Sequence, residues 1–160
     1  MPGEWIEDTC NAMIAKLEAE LPAKIATLNE GFTDGLDIEG ASGISLGERA
    51  EPTYPWITVA PSRTGPDLDT GERLVYAHTI DVISVYYDSD EDALVRRLLR
   101  FARAVREVAL ANRQPGINLG DGGWGLQFLG DNYSRMITLS SGSFIKAVTS
   151  TFLVKQQQTI

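Results

Sequence analysis

The segment from Asp90 to about Asn112 dictates a layered fold. An α-helix advancing 100° per residue gathers Leu94, Leu98, Phe101, Ala102, Val105, Val108 and Ala109 on one face there. Arg96, Arg100 and Arg103 fall on the opposite face, flanked by Arg97 and Arg106. So complete an apolar face must lie on something, and a sheet or another helix are the available partners. The start is marked by Asp88-Ser89-Asp90-Glu91-Asp92, whose acids complement the positive end of the helix dipole, with Ser89 and Asp92 in capping spacing. Pro115-Gly116 stops the helix.

The chain also supplies the surface to be covered. Leu74 to Tyr87 is dense in β-branched and aromatic residues and predicts a long strand. Tyr54 to Ala60 predicts a shorter one, and residues 61–72 between them are turn chemistry, so the pair is expected to form a hairpin with a long acidic tip. Trp124–Leu129, Met136–Leu139 and Phe144–Val154 predict further strands, with turns at Gly130-Asp131-Asn132 and Ser140-Ser141-Gly142 and a polar tail at 155–160. Near the start, Ile6, Cys10, Met13, Ile14, Leu17, Leu21, Ile25 and Leu28 recur at spacings of three and four, which predicts a core-packing helix over about 4–28. Pro22 is expected to kink or restart it. The order predicts one α+β domain over residues 1–160, an antiparallel sheet with two amphipathic helices packed on it. Trp56, Ile57, Val59, Ile80, Val82, Phe144, Val148 and Phe152 are expected to line the covered face of that sheet.

The segment 31–53 stands apart. Five glycines, and acids that include Asp34, Asp37 and Glu39, leave it little to bury, so a flexible acidic loop is expected, with a short strand near Ile38, Ile44 and Leu46. Residues 33–50 and 62–72 are expected to be mobile in the free subunit and ordered on assembly.

Familiar chemical motifs fail here for stated reasons. Asp88, Asp90 and Asp92 have calcium-loop spacing, but Ala93 stands where that loop needs glycine and Leu99 where it needs a bidentate glutamate. Gly120-Asp-Gly122-Gly123-Trp-Gly125 lacks the lysine and the following helix of a phosphate loop. The single histidine, His78, sits within a strand pattern and has no elbow serine to serve. Carboxylates are spread through the loops and nothing selects a catalytic pair. The reading is therefore of no enzyme, no metal and no cofactor. The lone cysteine, Cys10, reads as a buried helix residue. The N-terminus has no basic, apolar leader, and no apolar run is long enough to span a bilayer, so no membrane partner is expected.

Charge layout carries more. The chain has 14 bases and 22 acids, a net −8. Residues 1–95 hold five bases and nineteen acids, and residues 96–160 hold nine bases and three acids. A net negative charge speaks against a free nucleic-acid binder. The five bases of the helix at 96–106 are all arginine, the residue suited to interfaces. The expected subunit contact joins Arg96, Arg100 and Arg103 of one copy to acids of another, either Asp34, Asp37 and Glu39 on the first loop or Asp67, Asp69 and Glu72 at the hairpin tip.

Tyr54-Pro-Trp-Ile-Thr-Val59, Thr79-Ile-Asp-Val-Ile-Ser-Val85, Asp90-Glu-Asp-Ala-Leu-Val-Arg-Arg-Leu-Leu-Arg100 and Phe144-Ile-Lys-Ala-Val-Thr-Ser-Thr-Phe152, following an amphipathic first helix, resemble the tail terminator (tail completion) proteins of long-tailed bacteriophages. The resemblance covers about residues 5–28 and 54–154. It implies a virion protein made in the host bacterial cytoplasm and placed at the head-proximal end of the tail. Its partners would be itself in a hexameric ring, the tail-tube protein and the head–tail connector, with DNA passing through the channel without specific binding. Another neck or stopper protein of the head–tail connection is the alternative, and a nucleic-acid-binding domain using the 96–106 arginine face a further one.

Overall fold

The computed structural model describes residues 5–47, 53–69, 73–111 and 123–159. The chain runs α1 (Trp5–Gly31), β1 (Gly43–Leu46), β2 (Trp56–Asp69), β3 (Arg73–Asp88), α2 (Glu91–Leu110), β4 (Gly123–Tyr133), β5 (Ile137–Thr138) and β6 (Phe144–Thr159). The strands form one six-stranded sheet in the order β1-β2-β3-β6-β4, with β5 paired to β6. The fold is α+β, with both helices packed on the sheet. The sheet is mixed, because β1 runs parallel to β2 while every other pair is antiparallel.

Alternation along the strands decides the core. Ile57 pairs with Ser84 and Val59 with Val82; Ile80, Val82 and Ser84 pair with Phe152, Ser150 and Val148. All of these are buried on one face. α2 covers that face over β3, β6 and β4, while α1 lies beside α2 and over β1 and β2. Cys10, Met13, Leu17, Leu21 and Ile25 of α1 join Leu94, Leu98, Phe101, Val105 and Val108 of α2 in the same core. On the other face Thr79, Asp81, Ile83 and Val85 of β3 and Ala147, Thr149 and Thr151 of β6 are half-buried.

The structure corrects several expectations. Trp56 does not line the helix-covered face. As neighbour of Ile57 in an extended strand it points to the opposite one, where its ring lies so close over Gly43 that a Cβ there would come within 2.3 Å of it. Residues 61–69 are strand, not loop. They lie past the end of β1, on a free sheet edge where proline is tolerated, and the two register shifts fall at Pro61/Arg63 and Pro66/Leu68. Gly130-Asp131-Asn132 also stays within β4, with a register shift between Phe128 and Gly130 in place of a turn. The polar segment after Val154 continues β6 to Thr159, since β3 supplies backbone partners as far as Arg73. α1 runs as one helix through Pro22. Asp90, rather than Ser89, caps α2 by accepting from the Ala93 N–H at 2.9 Å. The glycine-rich residues 117–125 read as loop from the sequence; of these 117–122 lie outside the described residues, as does the stop at Pro115-Gly116, while residues 123–125 are already strand β4.

Candidate assembly surface

The arginines of α2 divide into two sets. Arg97, Arg100 and Arg106 are turned back onto their own subunit. Arg97 donates to the Asp88 carboxylate and, through Nε, to the Asp37 carbonyl at 3.1 Å. Arg100 donates to Asp34 Oδ1 at 3.0 Å and to the Leu36 carbonyl at 2.6 Å, and its guanidinium lies 3.9 Å over the Phe32 ring. Arg106 donates to Asp131 Oδ2 at 2.7 Å, and the other Asp131 oxygen accepts from Ser150 Oγ at 2.6 Å. Arg96 and Arg103 face solvent, and among the described residues Arg103 pairs only along its own helix, with Glu107 at 3.2 Å. A pair of this kind, one turn apart and exposed, contributes a few tenths of a kcal/mol.

The first acidic loop is thereby clamped to α2. Asn29 donates from Nδ2 to the Ile38 carbonyl and accepts from the Ile38 N–H at Oδ1, both at 2.9 Å. Ile38 is 3% exposed and joins the core, and the Glu39 N–H donates to the Tyr86 hydroxyl at 2.9 Å. Glycine and acid content predicted a free loop. One apolar side chain, one asparagine and two arginines tie it down instead. Asp34, placed by the sequence opposite an arginine of another copy, meets Arg100 of its own. Asp37 borders Arg97 through its backbone, and Glu39 lies near Tyr86. Asp67 and Asp69 are on the hairpin arm of β2, and Glu72 lies outside the described residues.

The hydrogen bonds from Arg100, first of all, and from the Leu36 N–H pull the Asp34 carboxyl from 3.8 down to about 2. A carboxyl whose value falls on folding contributes stability that is complete above its unfolded value and lost as pH drops through its folded one. The Asp34 contribution is therefore expected to hold at neutral pH and to fade between about pH 4 and 2. Carboxyl NMR should place the Asp34 midpoint near 2 in the wild type and higher in Arg100→Gln, but still below the ordinary value while the Leu36 N–H bond persists. An unchanged midpoint in that variant would remove the pair from the account.

Two exposed apolar residues share the outer side of α2 with Arg96 and Arg103. Val95 is 37% and Leu99 48% exposed. They sit one turn apart, Val95 next to Arg96 and Leu99 one turn before Arg103. At 100° per residue both apolar residues fall outside the core face of α2, and that is the signal in the sequence that sets them beside the arginines.

Other groups have structural partners. Asp88 accepts from Arg97 and from the Asp90 N–H at 3.1 Å, and so orders the α2 start. His78 is buried, with Nδ1 2.9 Å from Thr64 Oγ1 and its ring stacked on Tyr76. Burial pushes the Cys10 thiol up to about 11. An open cleft between loop and sheet is lined by Asp37, Glu39, Tyr86, Asp88, Arg97 and Ser143, with its arginine already engaged by Asp88. Among the described residues no group of histidine, cysteine, aspartate and glutamate is arranged to hold a metal ion, and no helix is long and apolar enough to cross a membrane.

No protein-family model and no curated protein matches the sequence. Among solved structures the fold matches a chain of the virion of a native gene transfer agent particle, with a TM-score of 0.61 at 12% identity. The match covers 93% of this chain and 94% of that one. The likeness is one of fold.

Proposed function

We propose that the chain is a structural protein of a phage-like virion, and that it forms a ring that caps the tail tube, stops its growth and joins the tail to the head connector. The observation that carries this reading is the fold match to a gene transfer agent virion chain over nearly the whole of both chains. The tail-terminator resemblance of Tyr54–Val59, Thr79–Val85, Asp90–Arg100 and Phe144–Phe152 gives it its finer form.

The charge supports a passive role toward DNA. Each copy carries −8, so a ring of copies carries a large net negative charge as a whole. Phosphate contacts need bases. Four arginines of α2 have carboxylate partners in their own subunit, so they are not free to hold DNA in transit. Neither a catalytic step nor a cofactor belongs to this role.

The test is reconstitution. Purified protein added to polymerising tail-tube subunits should give tubes of limited length with a ring at one end in negative-stain micrographs. Unlimited tube growth with the protein bound only to the connector would favour a neck or stopper component. A monomer inert toward both tube and connector would refute the ring.

A further inference from the structure

The outer side of α2 presents a knob with a basic rim. Val95 and Leu99 stand one turn apart and exposed, with Arg96 beside Val95 and Arg103, which also pairs with Glu107 of its own helix, one turn beyond Leu99; the two arginines are about 10 Å apart along the helix. Exposed leucine and valine rimmed by arginine fit a protein contact, since arginine and apolar residues concentrate in interface cores. The occupant must be acidic and able to approach a helix closely.

A second copy of the chain offers such a surface on α1. The side of α1 turned away from the core carries Asn11, Ala15, Ala19 and Ala26, all exposed. Around these small residues stand Glu7, Asp8 and Glu18, exposed and with no ion pair among the described residues. By contrast Asp34, Asp88 and Asp131 are bound to arginines of their own subunit. Asp8 and Glu18 lie about 15 Å apart along α1, a span that the two arginines of α2 reach from about 10 Å. A contact of α2 with α2 would set Arg96 and Arg103 against their own copies, and like charges oppose it. A contact of α2 with α1 matches charge and is head-to-side, the kind that closes rings.

We propose that the outer stripe of α2, Val95, Arg96, Leu99 and Arg103, docks on the Asp8–Ala15–Glu18 face of α1 in a second copy. This rests on the ring reading and names its subunit contact. Leu99 packs on Ala15 and Ala19, while Arg96 and Arg103 pair with Asp8 and Glu18. Exposed pairs contribute little singly and are screened by salt, so the contact should loosen as ionic strength rises.

The experiment compares wild type, Arg96→Glu/Arg103→Glu, and that variant with Asp8→Arg/Glu18→Arg added, by size-exclusion with light scattering and circular dichroism. The expected result is a wild-type ring, a folded monomer for the double reversal, and recovery of the ring in the fourfold swap. A second arm uses disulfide trapping in Leu99→Cys/Ala15→Cys, where buried Cys10 contributes no background. A ladder of linked subunits is expected. Dimers formed equally by Leu99→Cys alone, or wild-type rings from the double reversal, overturn this contact while leaving the ring intact. A wild type that stays monomeric even with tail-tube subunits overturns the contact and the ring together.

Discussion

Phe101→Ala is expected to lower the free energy of unfolding by about 3–5 kcal/mol, the range for removing a fully buried aromatic side chain. Phe101 is 0% exposed and stands where α2 meets β3, its ring 5.7 Å from that of Tyr86. Alanine there removes the transfer energy of the ring. It also leaves a cavity that the surrounding helices and sheet cannot close, because both layers are held by strand pairing on one side and helix packing on the other. For a domain of this size, thermal melting should fall by about 6–20 °C, at about 2–4 °C per kcal/mol. Leu99→Ala, two positions earlier on the outer side of α2, should change stability by less than about 0.5 kcal/mol. Equal melting temperatures for Phe101→Ala and wild type would contradict the packing of α2 on the sheet.

Arg106→Met should cost about 2–3 kcal/mol. Asp131 is 9% exposed by side chain and has two partners, Arg106 and Ser150. Methionine keeps an unbranched apolar stem but removes the guanidinium that pairs with Asp131 and lies 5.5 Å over the Phe128 ring, so Asp131 is left buried with one neutral donor. Breaking a fully buried pair costs about 3–5 kcal/mol, and the 33% exposure of Arg106 places this one lower. Asp131→Asn on top of Arg106→Met should recover part of the loss, because the uncompensated charge is gone. Additive losses in that double-mutant cycle would mean that the two side chains act independently. The pair fixes α2 to β4, so hydrogen exchange along β4 should rise in Arg106→Met.

The layer formed by α2 was legible in the sequence because its pattern is local. Each of Leu94, Leu98, Phe101, Val105 and Val108 lies one turn from the next, and one face of one helix contains them all. The run from Leu74 to Tyr87 was legible as strand for the same reason, and so was the buried face of α1. The α+β class followed from the order of these elements. The acidic segment was read from composition, and composition misled: a single buried isoleucine, Ile38, with Asn29 bonded to both of its backbone groups, decides the course of residues 32–42, and no periodicity announces it.

The strand ends were decided by pairing. Pro61, Pro66 and the glutamines at 156–158 carry turn or tail chemistry, yet all lie in strands because β3 offers a long row of backbone partners to both neighbours. The parallel β1 depends on a contact between Gly43 and Trp56, thirteen residues apart, that exists only once the ring has turned to the far side of the sheet.

By itself the sequence determined the two amphipathic helices, the long central strand, the α+β class and an arginine-rich outer face on α2, since each rests on residues within a turn or a strand of one another. Which arginines turn back onto loops and sheet of their own subunit was settled by the tertiary structure alone. Arg97, Arg100 and Arg106 find Asp88, Asp34 and Asp131 across loops and sheet, and those long-range approaches leave Arg96, and Arg103 with only its helix neighbour Glu107, facing outward beside Val95 and Leu99.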